Sequence, residues 1–168
     1  MARPKRLVGI NYTGFAAYFV TCCTHDRRKT LLDNDFCGQC RDELFAASRE
    51  FGFSITAYCL MPDHVHQLVE ATREDALLTN FVASWKQRTG FAWGRRSTGT
   101  RLWQKGYWDR VLRDDDNPLS FARYVVENPV RAKLVGAVKD YPWVGSDRYS
   151  LDEILAAYQL DLTSGWHR

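Results

Sequence analysis

The sequence has no apolar stretch long enough to span a membrane. Polar residues break every hydrophobic run before the roughly 20 residues that a bilayer core requires. The start, Met1-Ala2-Arg3-Pro4-Lys5-Arg6, is basic, but no apolar segment or small-residue cleavage site follows it, so no secretory leader is expected. A cytoplasmic protein with no membrane partner is the expectation. Strong charge bias is also missing: the formal net charge is +3, too small to identify a partner by itself. No glycine-rich phosphate loop is visible, which speaks against a nucleotide-driven reaction. Internal repeats and low-complexity runs are absent too. Cysteines number five, an odd count without a leader, so a disulfide framework is not expected. Cys37-Gly38-Gln39-Cys40 has the spacing of a redox pair or half a zinc site, yet no second such pair exists. Phe36, Leu44 and Phe45 around it follow an amphipathic helix, which favours two small buried residues.

The 168 residues suit one domain, and 45% hydrophobic against 26% charged residues is enough apolar material for a core. Aromatic and β-branched residues from Gly14 to Thr24 predict a strand. Asp33 to Phe51 reads as a helix with Asp33 or Asn34 as N-cap and Gly52 as stop. Residues 53–70 read as a hairpin turning at Pro62-Asp63. Leu77 to Trp93 suits a second helix, weakened by Gly90 and Gly94, and Tyr107 to Leu112 a fourth strand. Pro118 opens a helix to about Asn128, where Pro129 forces a break. A short helix over Val130 to Val135 and another over about Leu151 to Tyr158 follow. The order β-α-β-β-α-β-α predicts an α+β fold: an antiparallel sheet with helices on one side and a C-terminal helical tail. The division expected is a domain over 1–145 and a tail over 146–168.

Charge distribution is more telling than charge total. Lys86, Arg88, Arg95, Arg96, Arg101, Lys105, Arg110 and Arg113 share a stretch in which Asp109 is the sole acid. Trp85, Phe91, Trp93, Trp103, Tyr107 and Trp108 are interleaved with them. Cations hold phosphates and flat rings stack on unpaired bases, a combination suited to single-stranded nucleic acid. A solvated basic face above core aromatics is the other reading. The expected contacts are Lys86, Arg88, Trp103, Lys105, Arg110 and Arg113, together with Lys5 and Arg6 at the start of the chain.

His64 and His66 stand two apart in a predicted strand and so share a face, a ready pair of metal ligands. By itself His-x-His is better explained by a turn cap beside a hydrogen-bonded core histidine than by a metal site. Tyr124 and Asn128 lie four apart on the next helix, on one helical face. A phenol can act as covalent nucleophile, and an amide oxygen one turn on can complete a metal site. Tyr124 as a core aromatic, and Asn128 as N-cap before Pro129, remain open at this point.

Together these residues become recognisable. Tyr58-Cys59-Leu60-Met61-Pro62-Asp63-His64-Val65-His66-Gln67-Leu68-Val69 resembles the signature of single-tyrosine HUH transposases, where U is a bulky apolar residue. Gly106-Tyr107-Trp108-Asp109-Arg110-Val111-Leu112-Arg113 resembles the fourth strand of that family. The run from Ala122 to Val135, with Tyr124-x-x-x-Asn128-Pro129, is similar to its catalytic-tyrosine helix. With Tyr141-Pro142-Trp143 after it, this form points to the REP-associated tyrosine transposases, over about Tyr18 to Trp143.

The resemblance implies a ferredoxin-like fold and a metal-dependent cut in single-stranded DNA near short palindromes that fold into hairpins. It assigns His64, His66 and Asn128 to Mg²⁺ or Mn²⁺, and Tyr124 to a 5′-phosphotyrosine link that a second strand's hydroxyl can reverse. Imidazole ligands favour Mn²⁺ or Zn²⁺ over Mg²⁺ by ligand type. It also implies nucleoid association when bound to DNA, and a monomer, with a dimer sharing the tyrosine helix as the other arrangement. Two positions depart from the pattern. Asp63 stands where relatives often carry Asn, either tightening cation binding or capping the turn, and Gln67 stands where an apolar residue is commoner. Two further readings compete: a hairpin-binding module without chemistry, and a zinc protein using Cys37, Cys40, His64 and His66.

Overall fold

Asp33 and Gly52 delimit the first long helix. The Asp33 carboxylate accepts from the Phe36 amide at 2.7 Å, satisfying an N–H that the first turn leaves open. Gly52 takes φ 71°, ψ 47°, the left-handed stop that glycine adopts without a Cβ clash. The computed structural model to which these elements belong describes residues 15–97, 99–113 and 116–157. Lys5 and Arg6 lie outside the described residues, as does Tyr158.

In chain order the elements are β1 (Ala17–Cys23), α1 (Asn34–Phe51), β2 (Phe53–Met61), β3 (His64–Ala71), α2 (Leu78–Arg96), β4 (Trp108–Val111), α3 (Pro118–Val126), α4 (Asn128–Arg131), β5 (Val144–Gly145) and α5 (Leu151–Ala156). Short 3-10 turns occupy His25–Arg27 and Val138–Asp140. The five strands form one antiparallel sheet in the order β4-β1-β3-β2-β5. The α+β antiparallel reading therefore stands. The edge strand β5 is an addition: Tyr58↔Gly145 and Cys59↔Val144 are its whole register, too short to leave a periodic signal.

Helices cover both faces of the sheet, which amends the expectation of helices on one side. Tyr18, Val20 and Cys22 of β1, with Val65 and Val69 of β3, pack against Phe36, Leu44, Phe81 and Trp85 of α1 and α2. The alternate residues Phe19, Cys59, Met61 and Leu68 pack against Phe121, Ala122, Val125 and Val126 of α3. The apolar stripe of α3 needs a surface, and α1 and α2 already occupy the first one. Coverage on both sides also explains why β2 reads as a near-continuous apolar run. A bulge between Ile55 and Ala57 shifts the phase of β2, so Ile55 joins the α1–α2 side while Ala57, Cys59 and Met61 turn to α3. Asp147 secures that irregularity, its carboxylate accepting from the Ile55 amide at 2.9 Å.

Four helices have limits that differ from the expected ones. α2 runs to Arg96, through Gly90 and Gly94, because its buried side (Leu78, Phe81, Val82, Trp85, Thr89) is held by the core. α3 stops at Val126 instead of Asn128, and the short helix begins at Asn128 and ends at Arg131, before Val135. Pro129 fits within the first turn of α4, where a missing N–H breaks no bond. α5 is shorter than expected, though Ser150 and Glu153 form a full capping box at its start. Among the described residues, no helix is long and apolar enough to cross a membrane.

Candidate active site

β3 starts directly after Pro62-Asp63, and its alternation puts His64, His66 and Leu68 on the α3 side. The two imidazoles lie 4.6 Å apart at 79°, with their Nε2 atoms 3.1 Å from each other. Each ring is anchored at its other nitrogen. Asp63 Oδ1 is 2.6 Å from His64 Nδ1, and Thr21 Oγ1 is 2.9 Å from His66 Nδ1. A carboxylate only accepts, so His64 donates through Nδ1–H and keeps a lone pair on Nε2. The second Asp63 oxygen meets Arg27 Nε at 3.1 Å. Asp63 thus orients His64, beyond any part it plays in the turn.

Burial pushes the His64 imidazole below the ordinary histidine range. The Asp63 hydrogen bond and charge oppose this, and Arg27 adds slightly to it. The neutral imidazole so favoured is the ligand form. Two converging Nε2 atoms with anchored Nδ1 atoms suit a shared cation, because ligating histidines commonly carry such outer partners. No third His, Cys, Asp or Glu joins them as a metal cluster among the described residues.

Tyr124 lies on α3, which Asn117 caps by accepting from the Leu119 amide at 3.0 Å, with Pro118 in the first turn. Phe121, Ala122, Val125 and Val126 bury the stripe facing the sheet, and Tyr124 sits half-buried beside it. Its ring meets Phe19 edge-on at 6.1 Å, and Phe19 lies 5.3 Å from the His66 ring. Tyr124, Phe19, His66 and His64 therefore form one line of rings across a single face. The Asn128 amide nitrogen donates to the carbonyls of Tyr124 and Val125 at 3.0 and 3.1 Å. It closes the end of α3, and Glu127 takes the N-cap position of α4 that the sequence offered to Asn128. Oδ1 is the Asn128 atom left for a cation.

The basic aromatic stretch does not form one surface. Trp103 is 5% exposed, its ring tilted 43° against Trp85 at 4.9 Å and donating to Thr89 Oγ1 at 2.9 Å, so it is a core residue closed to bases. Lys86 donates to the carbonyls of Gln104 and Gly106, and burial pulls its ammonium pKa down, with Cys22 and Cys23 opposing. Arg88 pairs with Glu50 and Glu43. Arg110 pairs with Asp116 at 3.1 Å and lies over the Phe121 ring. Lys105 and Arg113 are exposed. The sequence reading missed Thr21 and Phe19 as site neighbours. Both lie on β1 at the alternation that faces His66, but only the strand register Thr21↔His66 reveals it.

Cys37 and Cys40 are buried on the α1–α2 side, across the sheet from the histidines, so the four cannot share one zinc. Burial, then Asp33, pushes the Cys37 thiol up to about 11, and burial raises Cys40 as well. Neither has the lowered pKa of a redox thiol.

The profile of the family described as "Transposase IS200 like" matches residues 15–128. A Haemophilus influenzae protein assigned to the REP-associated tyrosine transposases is 29% identical over 145 residues, covering 79% of this chain and 81% of its own. The REP-associated tyrosine transposase of Escherichia coli K12 is 24% identical over 135 residues, covering 79% and 77%. Among solved structures, that of a REP-associated tyrosine transposase bound to a REP hairpin superposes with a TM-score of 0.71 at 23% identity, covering 86% of this chain and 82% of that one. The last of these is a likeness of fold.

Proposed function

This chain belongs to the IS200-like transposase family, and from that premise we propose that it cuts and rejoins single-stranded DNA at hairpin-forming palindromic repeats through Tyr124. The observation that carries the proposal is the line of rings from Tyr124 through Phe19 to His66 and His64 on one sheet face. A nucleophile and a pair of cation ligands belong together when the reaction is displacement at a phosphodiester. The relative solved with a REP hairpin supports the choice of substrate class.

His64 and His66 would hold Mg²⁺ or Mn²⁺ through Nε2, and Asn128 through Oδ1. A bound divalent ion polarises the scissile phosphate and offsets charge in the transition state. The protein's own residues do the rest. Asp63 and Thr21 keep the rings from turning. Tyr124 supplies the attacking oxygen: its Oη–P bond forms as the P–O3′ bond breaks. The phenolic proton passes to solvent while the departing 3′-oxygen takes one up, leaving 5′-phosphotyrosine and a 3′-hydroxyl. Because the link conserves the phosphodiester's reactivity, a second 3′-hydroxyl can displace Tyr124 and join new ends.

Tyr124 lies three ring contacts from His64 in the same chain, which supports a site completed within one monomer. The test is a fluorescent hairpin oligonucleotide with single-stranded flanks from the repeats beside the gene, incubated with Mn²⁺ and resolved on a denaturing protein gel. A shifted covalent band that vanishes in chelator and in Y124F is the expected result. A band that persists undiminished in Y124F overturns the assignment of the nucleophile.

A further inference from the structure

Arg131 follows Tyr124 by seven residues, past the Glu127 break, yet α4 brings it back onto the tyrosine. Its guanidinium carbon lies 4.1 Å from the centre of the Tyr124 ring. Nη2 donates to the carbonyl of Tyr124, and Nη1 reaches Glu127 Oε2 at 3.4 Å. Glu127 also accepts from Arg123 Nε at 2.8 Å, so an arginine–glutamate–arginine ladder braces the guanidinium. From the sheet, Phe19 bears on the same Tyr124 ring.

An i,i+4 ion pair with Glu127 and a contact to a helix-end carbonyl are ordinary reasons for an arginine to stand here. Neither requires the guanidinium to lie against the ring. A phenol turns about two side-chain bonds, and each turn moves its hydroxyl by ångströms; displacement at phosphorus tolerates little of that. The Arg131 side chain is 39% exposed, so the clamp stays open to an incoming strand. A guanidinium has five N–H donors, and its two contacts do not exhaust them. Planar donors held over the ring that carries the attacking oxygen suit a phosphate bonded to that ring.

We propose that Arg131 is a positioning residue for Tyr124, holding the ring in its line of attack and facing the phosphate that becomes bonded to it. The inference rests on the reading of Tyr124 as nucleophile. It is tested by single-turnover adduct formation at saturating hairpin with Mn²⁺, next to hairpin affinity in chelator and thermal midpoint, for the unaltered chain, R131A and R131K. The rate at saturation is expected to fall about a hundred-fold in R131A, with affinity changed less than about threefold. R131K is expected to recover only part, since an ammonium keeps the charge but cannot lie flat on a ring.

A merely structural Arg131 would lower the midpoint and leave the rate per bound complex unchanged, which overturns the proposal. Should R131A not fold, an R131K rate equal to that of the unaltered chain overturns it as well. No adduct from the unaltered chain overturns the parent reading and this one together, whereas equal rates with and without Arg131 overturn this one alone.

Discussion

His64 and His66 face each other through Nε2 at 3.1 Å while their Nδ1 atoms turn outward to Asp63 and Thr21. With His64 protonated at Nδ1, its Nε2 lone pair points at His66 Nε2. That atom donates a hydrogen to it when Thr21 donates to His66 Nδ1, and presents a second lone pair for a cation when Thr21 accepts there instead. Asp63 and Thr21 hold the outer nitrogens, so both Nε2 atoms converge on the place where a cation would lie.

Asp63 is the stronger of the two outer groups because it is charged and bonds at 2.6 Å. D63N should weaken Mn²⁺ binding by roughly ten- to a hundred-fold, the usual cost of losing such a partner. Calorimetric titration of the purified protein measures this directly. Unchanged affinity would reduce Asp63 to a turn residue.

The same histidine sets a pH dependence. His64 titrates below the ordinary range in the folded chain, chiefly through burial, whereas an unfolded histidine titrates near about 6.5. Between those values the unfolded state holds the extra proton, so acidification through that window destabilises the fold. Stability from this source is complete above about 6.5 and lost as pH falls through the lower, folded value. Melting in chelator from pH 7.5 downward should show the decline, and H64N should flatten it.

Gln67 is fully buried in β3, and neither polar atom of its side chain has a hydrogen-bond partner among the described residues. An amide removed from water without compensation costs about 1–3 kcal/mol. Q67L should therefore raise unfolding free energy by that order in urea titration. Destabilisation by Q67L would reveal a polar partner for this side chain.

Trp103 and Lys105 should behave in opposite ways. W103A removes a core ring and should cost about 3–5 kcal/mol of stability. K105A and R113A should leave melting unchanged and each lower the salt slope of hairpin binding by about one. Equal stability with weakened binding in W103A would restore that ring as a base contact.

Thiol labelling tests the packing independently. Cys22, Cys37, Cys40 and Cys59 are buried and Cys23 is partly exposed. Burial pushes the Cys22 thiol up to about 12. A native titration with a disulfide reagent near pH 8 should register one fast thiol, lost in C23S, and the other four only on unfolding. Rapid reaction of Cys37 and Cys40 would contradict the core as described.

Locally encoded features were legible in the sequence. Asp33 and Gly52 mark α1 because caps are chemical and sit at the ends they close. The Pro62-Asp63 turn and the alternation of His64 with His66 are equally local. What pairing decides was not legible. Thr21 becomes a partner of His66 through strand register, and α3 takes the second face because the first is filled. The basic stretch misled for a related reason: charge and aromaticity are visible in order, but exposure is set by packing, which buried Trp103 and spent Lys86 on two loop carbonyls.

β3 occupies the middle of the five strands, flanked by β1 and β2, whereas Tyr124 rides on a helix that follows the edge strand β4. Amide exchange should consequently be slowest around His66 and faster along α3, since sheet centres open only with the whole fold. The two halves of the site would then fail at different times under stress. A warmed or partly denatured molecule would keep its histidines together after the tyrosine had drifted away, and would recover by re-docking one helix instead of rebuilding the sheet.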